Sequence, residues 1–189
     1  MDVRDYLDIL HVAGKLKDTT RHCFTPMRRH ESVAEHSWRI SLMAMLLREV
    51  FPEADMDKVT RMCLIHDLGE CFTGDIPSFL KTEKDREKER ELLGQWVNTL
   101  PCEVSQEMKS LYEEMDGQKT LESRIYKSLD KLEAIISHNE SPIDTWLENE
   151  YGLNQTYAFD TVAFSDWLTE LRKAVLEDTL LKIGTEAKP

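Results

Sequence analysis

Cys63-Leu64-Ile65-His66-Asp67-Leu68-Gly69-Glu70 carries an apolar helical pattern into a pair of neighbouring polar side chains. Val59, Met62 and His66 recur at spacings of 3 and 4, the period of a helix with one face turned inward. Adjacent helical residues point about 100° apart, so His66 and Asp67 can grip one ion from two sides. Packing alone is a poor reason for a His-Asp pair in an apolar helix. A metal site is therefore the first reading.

The same period runs outward through the chain. It predicts helices over about 3–14, 33–50, 56–69, 82–100, 105–115, 120–138 and 165–182, with 150–164 of mixed pattern. Ser32 with Glu35 and Thr82 with Asp85 read as capping boxes, and Thr120 and Ser165 as N-caps. Residues 15–31 read as irregular, with Pro26 as a breaker, and Gly74-Asp75-Ile76-Pro77 as a loop. No alternating strand and no Asn-Gly hairpin stands out. The expectation is one all-α domain over 1–189, a helical bundle whose motifs fall within about 5–140 and whose residues 141–189 form a helical cap or extension.

Composition narrows the function. The 189 residues are 41% hydrophobic and 32% charged, with a net charge of −12. That charge argues against a nucleic-acid polymer as partner, which needs a basic footprint. It leaves room for a small anionic substrate, because a metal ion and a few arginines reverse the local field. Cys23, Cys63, Cys71 and Cys102 show no C-x-x-C pairing and suit a reducing cytoplasm. No signal region and no run of membrane-spanning length is present. The apolar excess of the C-terminal third is compatible with a homodimer.

Two further helices bring polar groups inward. His36 belongs to the stripe His36, Ile40, Met43, Leu47, Val50, and Asp130 lies beside the stripe Leu121, Ile125, Leu129, Leu132, Ile136. A buried carboxylate is costly unless it is paired or metal-bound. Imidazole and carboxylate together suit Zn²⁺, Mn²⁺, Fe²⁺ or Co²⁺. On residue chemistry alone a second reading stands level with this one: core histidines, and an Asp130 paired with Lys127 or Lys131 on its own helix.

The spacing of His36, His66-Asp67 and Asp130 resembles that of the HD-domain metal-dependent phosphohydrolases. Glu31-Ser32-Val33-Ala34-Glu35-His36-Ser37 and the string from His66 through Glu70 and Gly74-Asp75 to Ile76-Pro77 are similar to the YfbR-type 5′-deoxynucleotidase branch. The resemblance implies an HD-type helical bundle holding one divalent ion (Mn, Co, Zn, Fe or Mg) through His36, His66, Asp67 and Asp130. It implies phosphate release from nucleoside 5′-monophosphates. Glu70 and Asp75 then take the catalytic positions, and Arg21 the phosphate contact.

Glu70 follows His66 by four residues, so it shares that face if the helix continues through Gly69. Outside the family context it reads as a solvated helix end, and Asp75 as a turn residue. Residues 15–30 hold Lys15, Lys17, Arg21, Arg28 and Arg29 against Asp18 alone, a basic island in an acidic chain. An arginine fork suits phosphate. His22 stands where the branch tends to carry Trp beside this arginine. A histidine there can donate to a sugar hydroxyl, which puts strict deoxyribose selection in question.

The charged run from Lys81 to Glu91 reads as a solvated helix face. His138-Asn139-Glu140 reads equally as a polar site or as a helix end before Pro142. Trp146, Tyr151 and Tyr157 suit a C-terminal cap or a dimer contact. Rival functions are an HD-type di-iron oxygenase, a non-catalytic nucleotide-sensing module, and an alarmone pyrophosphohydrolase. The oxygenase needs extra ligands, and the sequence shows no second His pair beside His66-Asp67.

Overall fold

A computed structural model describes residues 1–187. Helix α1 (Val3–Ala13) is followed by a 3-10 turn and a two-stranded ribbon, β1 (Thr20–Phe24) and β2 (His30–Ser32). Then come α2 (Val33–Leu46), α3 (Met56–Ile65), α4 (Glu70–Thr73), α5 (Glu83–Asn98), α6 (Cys102–Gly117) and α7 (Leu121–Glu140). The chain closes with α8 (Glu148–Thr156), α9 (Phe159–Val162) and α10 (Asp166–Glu186). The fold is a helical bundle with one short ribbon. Among the described residues, no helix is long and apolar enough to cross a membrane.

The caps explain where the helices start. Ser32 and Glu35 form a reciprocal box at α2, and Thr82 and Asp85 another at α5. Thr120 and Ser165 each accept a backbone N–H at α7 and α10. The central α7 packs against α2, α3, α6, α9 and α10. Ile40, Ala44, Val59, Met62, Ile125, Leu129 and Leu132 form the main core where α2, α3 and α7 meet. The non-polar positions of three helices thus bring together the faces that also carry His36, His66 and Asp130.

Helix α10 runs on to Glu186 and α6 spans Cys102–Gly117, both longer than the sequence reading, and three further differences bear on the site. Residues 15–31 are not irregular throughout, since β1 and β2 pair antiparallel with a register irregularity between Thr20↔Ser32 and Phe24↔His30. The turn accepts the Arg28 N–H at Thr25 O and holds Arg28 at φ 62°, the left-handed region. These strands are short and polar, so they carry no alternating apolar signal. The α2 helix stops at Leu46 rather than Val50. Pro52 disfavours helical geometry at Phe51, and the last turn tightens into three-residue bonds.

The third difference matters most. The helix of His66 ends at Ile65, and residues 66–69 form tight turns before α4 begins. Leu68 N–H bonds Ile65 O and Glu70 N–H bonds Asp67 O, both three residues back. Gly69 permits close packing there, because a Cβ on it would lie 2.7 Å from Glu89 Cγ of α5.

Candidate metal centre and its cavity

His36 leads from the first turn of α2 and is 1% exposed. Its Nε2 lies 3.3 Å from Asp130 Oδ1 and 3.9 Å from Asp67 Oδ2. His66 Nε2 lies 2.9 Å from Asp67 Oδ2 and 3.7 Å from Asp130 Oδ1. Donor atoms of His36, His66 and Asp67 lie within 4.8 Å of one another, and Asp130 Oδ1 stands beside both imidazoles. Donors about 2.1 Å from a single tetrahedral ion lie about 3.4 Å apart, which these separations bracket.

The hydrogen bonds behind the imidazoles set their tautomers. His66 Nδ1 lies 2.8 Å from Cys63 O, an acceptor, so it carries the proton. That leaves Nε2 facing Asp67, and this buried nitrogen makes no hydrogen bond of good geometry among the described residues. A contact of 2.9 Å between that nitrogen and a carboxylate oxygen needs positive charge, supplied either by a proton on the imidazole or by a metal cation. His36 Nδ1 likewise meets Glu133 Oε2 at 2.5 Å, leaving Nε2 toward the two aspartates. Burial and the Arg21 charge push His36 down, yet Glu133 and Asp130 hold it up at about 9. Burial raises the Asp67 carboxyl, but His66 and His36 bring it down to about 2. The point demands positive charge, and the donor set fits a divalent ion.

Asp130 reconciles the two sequence readings. Its Oδ2 pairs with Lys127 at 2.7 Å while Oδ1 faces the imidazoles. Lys131 turns instead to Thr161 Oγ1 at 2.6 Å.

Glu70 is buried to 4% exposure and is no solvated helix end. Its Oε1 lies 3.7 Å from Lys81 Nζ, and its buried Oε2 has no hydrogen-bond partner among the described residues. Burial first, then Asp67 and Asp75, push this carboxyl up to about 10 against the pull of Lys81. Asp75 is also raised, chiefly by burial and opposed by Arg21. Both carboxyls line a cavity of about 160 Å³ that His36, Asp67 and Asp130 share.

Arg21 lines this cavity from β1, with one end already committed. Its Nη1 donates to Glu31 Oε2 at 2.7 Å and to Glu133 Oε2 at 3.1 Å. Nε and Nη2 remain as its free donors among the described residues. Glu31, His36 and Glu133 form a further acidic group, but Arg21 already supplies its cation. Arg28 and Arg29 are surface charges, paired with Asp144 and Glu35.

His22, one residue along the strand, turns Nε2 to Glu150 Oε1 at 2.9 Å, leaving only Nδ1 for a sugar hydroxyl. His138 Nε2 meets the same oxygen at 2.9 Å. A second His pair, invisible in sequence, therefore lines the same cavity.

Sequence reasoning missed other parts of this lining. Lys81 and Arg86 come from the run read as a solvated face, while Glu150, Asn154 and Tyr157 come from the stretch with no assigned role. Their common signal is small: a charged or polar residue where the helix face turns inward. Glu133, three residues after Asp130, carries that signal and was also missed.

The model of the HD domain family matches residues 13–172. The chain is 33% identical over 142 residues to the human protein named 5′-deoxynucleotidase HDDC2, covering 72% of this chain and 68% of that one. The mouse protein of that name is 33% identical over 162 residues, covering 83% and 78%. Among solved structures, a "Predicted metal-dependent phosphohydrolase" from Magnetospirillum magnetotacticum MS-1 superposes with a TM-score of 0.78 at 26% identity, covering 95% and 96%.

Proposed function

Because the chain belongs to the HD domain family, we propose that it is a metal-dependent phosphohydrolase releasing phosphate from nucleoside 5′-monophosphates, deoxyribonucleotides among them. The observation that carries this reading is the convergence of His36, His66, Asp67 and Asp130 on one point beside the buried acids Glu70 and Asp75. The names of the human and mouse relatives supply the substrate class.

His36, His66, Asp67 and Asp130 would hold the divalent ion. When bound, the ion supplies Lewis acidity and makes water a usable nucleophile near neutral pH. The protein's own groups supply the rest. Arg21, Lys81, Arg86, Lys127 and Lys131 line the cavity against the carboxyls of Asp67, Glu70, Asp75, Asp130 and Glu150, so with a divalent ion bound the balance would favour a phosphate dianion. Arg21 offers Nε and Nη2, because Glu31 and Glu133 fix its other end and hold the fork in place. Glu70 and Asp75 are two carboxyls on one cavity wall, both raised by burial. They are the pair available to take a proton from water and to return one to the leaving 5′-oxygen.

The test is phosphate release from a panel of ribo- and deoxyribonucleoside 5′-monophosphates, with Mn²⁺, Co²⁺, Zn²⁺ or Mg²⁺ and with metal content determined. Turnover on at least one series is expected. No turnover on any, in metal-loaded protein, would sink the proposal.

A further inference from the structure

We propose that His22, His138 and Glu150 form a second divalent transition-metal site in the same cavity, separate from the His36/His66/Asp67/Asp130 set. Three donor atoms, His22 Nε2, His138 Nε2 and a Glu150 oxygen, lie within 4.8 Å of one another. Each imidazole nitrogen is 2.9 Å from Glu150 Oε1.

The convergence of the three donors on one point is the main argument. His138 Nδ1 lies 2.8 Å from Ala134 O, so that nitrogen carries a proton. A neutral His138 then presents its Nε2 lone pair to a carboxylate oxygen. His22 Nε2 points at the same oxygen but makes no hydrogen bond of good geometry among the described residues, so two imidazole nitrogens crowd one carboxylate oxygen. Glu150 is itself 1% exposed, and a buried carboxylate needs a counter-charge. One divalent cation satisfies all three groups together. The same signature marks His66, whose Nδ1 is fixed by Cys63 O and whose orphaned Nε2 lies 2.9 Å from Asp67.

The three side chains are also held in place. His22 packs edge-on against Phe79 with ring centroids 5.5 Å apart, and His138 edge-on against Trp146 at 6.0 Å. Glu150 Oε2 accepts the Leu147 N–H at 2.7 Å, which fixes the carboxylate at the start of α8. Strand alternation explains why β1 serves both clusters, since Arg21 and His22 are successive and face different partners. Two imidazoles and one carboxylate suit Zn²⁺, Co²⁺, Mn²⁺ or Fe²⁺, and three protein ligands leave a coordination position for substrate oxygen.

The experiment strips the full-length chain with chelator, reloads it with Co²⁺, and measures ions per chain by elemental analysis and visible absorption. Two Co²⁺ are expected in the wild type. Glu150→Gln, which keeps an acceptor for Leu147, and His22→Ala, which leaves the Glu150–His138 contact intact, should each lose one. His66→Ala with Asp67→Ala should also leave one ion, and adding Glu150→Gln should leave none. A wild type that binds a single Co²⁺, or a folded Glu150→Gln and His22→Ala that each retain two, would overturn the site. Substrate plays no part in this count, so it fails or succeeds separately from the phosphatase assay.

Discussion

Glu133 Oε2 lies 2.5 Å from His36 Nδ1, so a fully buried carboxylate on α7 fixes the ring of a candidate ligand on α2. Carboxylates in that position hold the tautomer and raise the basicity of the metal-facing nitrogen. Glu133→Gln keeps the shape and removes the charge. Metal affinity should fall about 10- to 100-fold, measured by chelator competition. An unchanged affinity would remove Glu133 from the site.

Asp67 and Glu70 are neighbours with different expected roles. Asp67→Ala or His66→Ala should abolish the metal at the four-residue site. Glu70→Gln should keep that metal and lower turnover about 10²- to 10⁴-fold, the usual reach of a proton-transfer group. Metal content and kcat measured on the same preparations separate the two. Loss of metal from Glu70→Gln would reassign Glu70 as a ligand.

Gly69 allows α4 and α5 to approach. Gly69→Ala places a methyl 2.7 Å from Glu89 Cγ, and Glu89 is held at 2.5 Å by Lys81, which also faces Glu70. Overpacking of this kind costs about 1–3 kcal/mol. Urea denaturation should show that loss, and the double variant Gly69→Ala/Glu89→Ala should recover part of it.

Burial and surface pairing should separate cleanly in stability. Leu129→Ala empties a fully buried position of the main core and should cost about 2–5 kcal/mol. Arg28→Ala breaks an exposed pair with Asp144 and should stay within about 1 kcal/mol. Equal losses would mean that the turn carries more than its surface contacts.

Glu122 gives a pH signature away from the site. Burial raises its carboxyl, but backbone N–H groups, including that of Asp55, and Lys58 bring it below the ordinary glutamate value. A lowered folded pKa adds stability above the unfolded value, and that stability is lost as pH falls through the folded one. The stability gap between wild type and Glu122→Gln should be constant near neutral pH and close on acidification below about 4.5, the ordinary glutamate value. A gap that widens in acid would contradict the pairing.

Helix starts were legible because Ser32, Thr82, Thr120 and Ser165 announce them chemically. The inward faces of His36, His66 and Asp130 were legible because apolar residues around them keep a helical period. The ribbon was not, since Arg21 and His22 take their places from tertiary partners rather than from apolar alternation. The end of α3 at Ile65 was hidden for a related reason. His66 and Gly69 both keep helix-like dihedrals, and only the three-residue bonds reveal the tightening. The pairing of His138 with His22 and Glu150 depends on how α7, β1 and α8 meet, which no local pattern encodes.

Residues of the cavity come from two kinds of scaffold. His36 and Asp130 sit on helices whose packed faces form the main core, whereas Glu150, Asn154 and Tyr157 belong to or adjoin a nine-residue helix near the C-terminal end. Substitutions beside the first group would act on the main core, while those in the second would act on a cavity wall that packs against α10 and holds Glu150. On the proposed reading, residues 146–157 are the wall through which ligand preference would change with least disturbance to the packed faces of α2, α3 and α7.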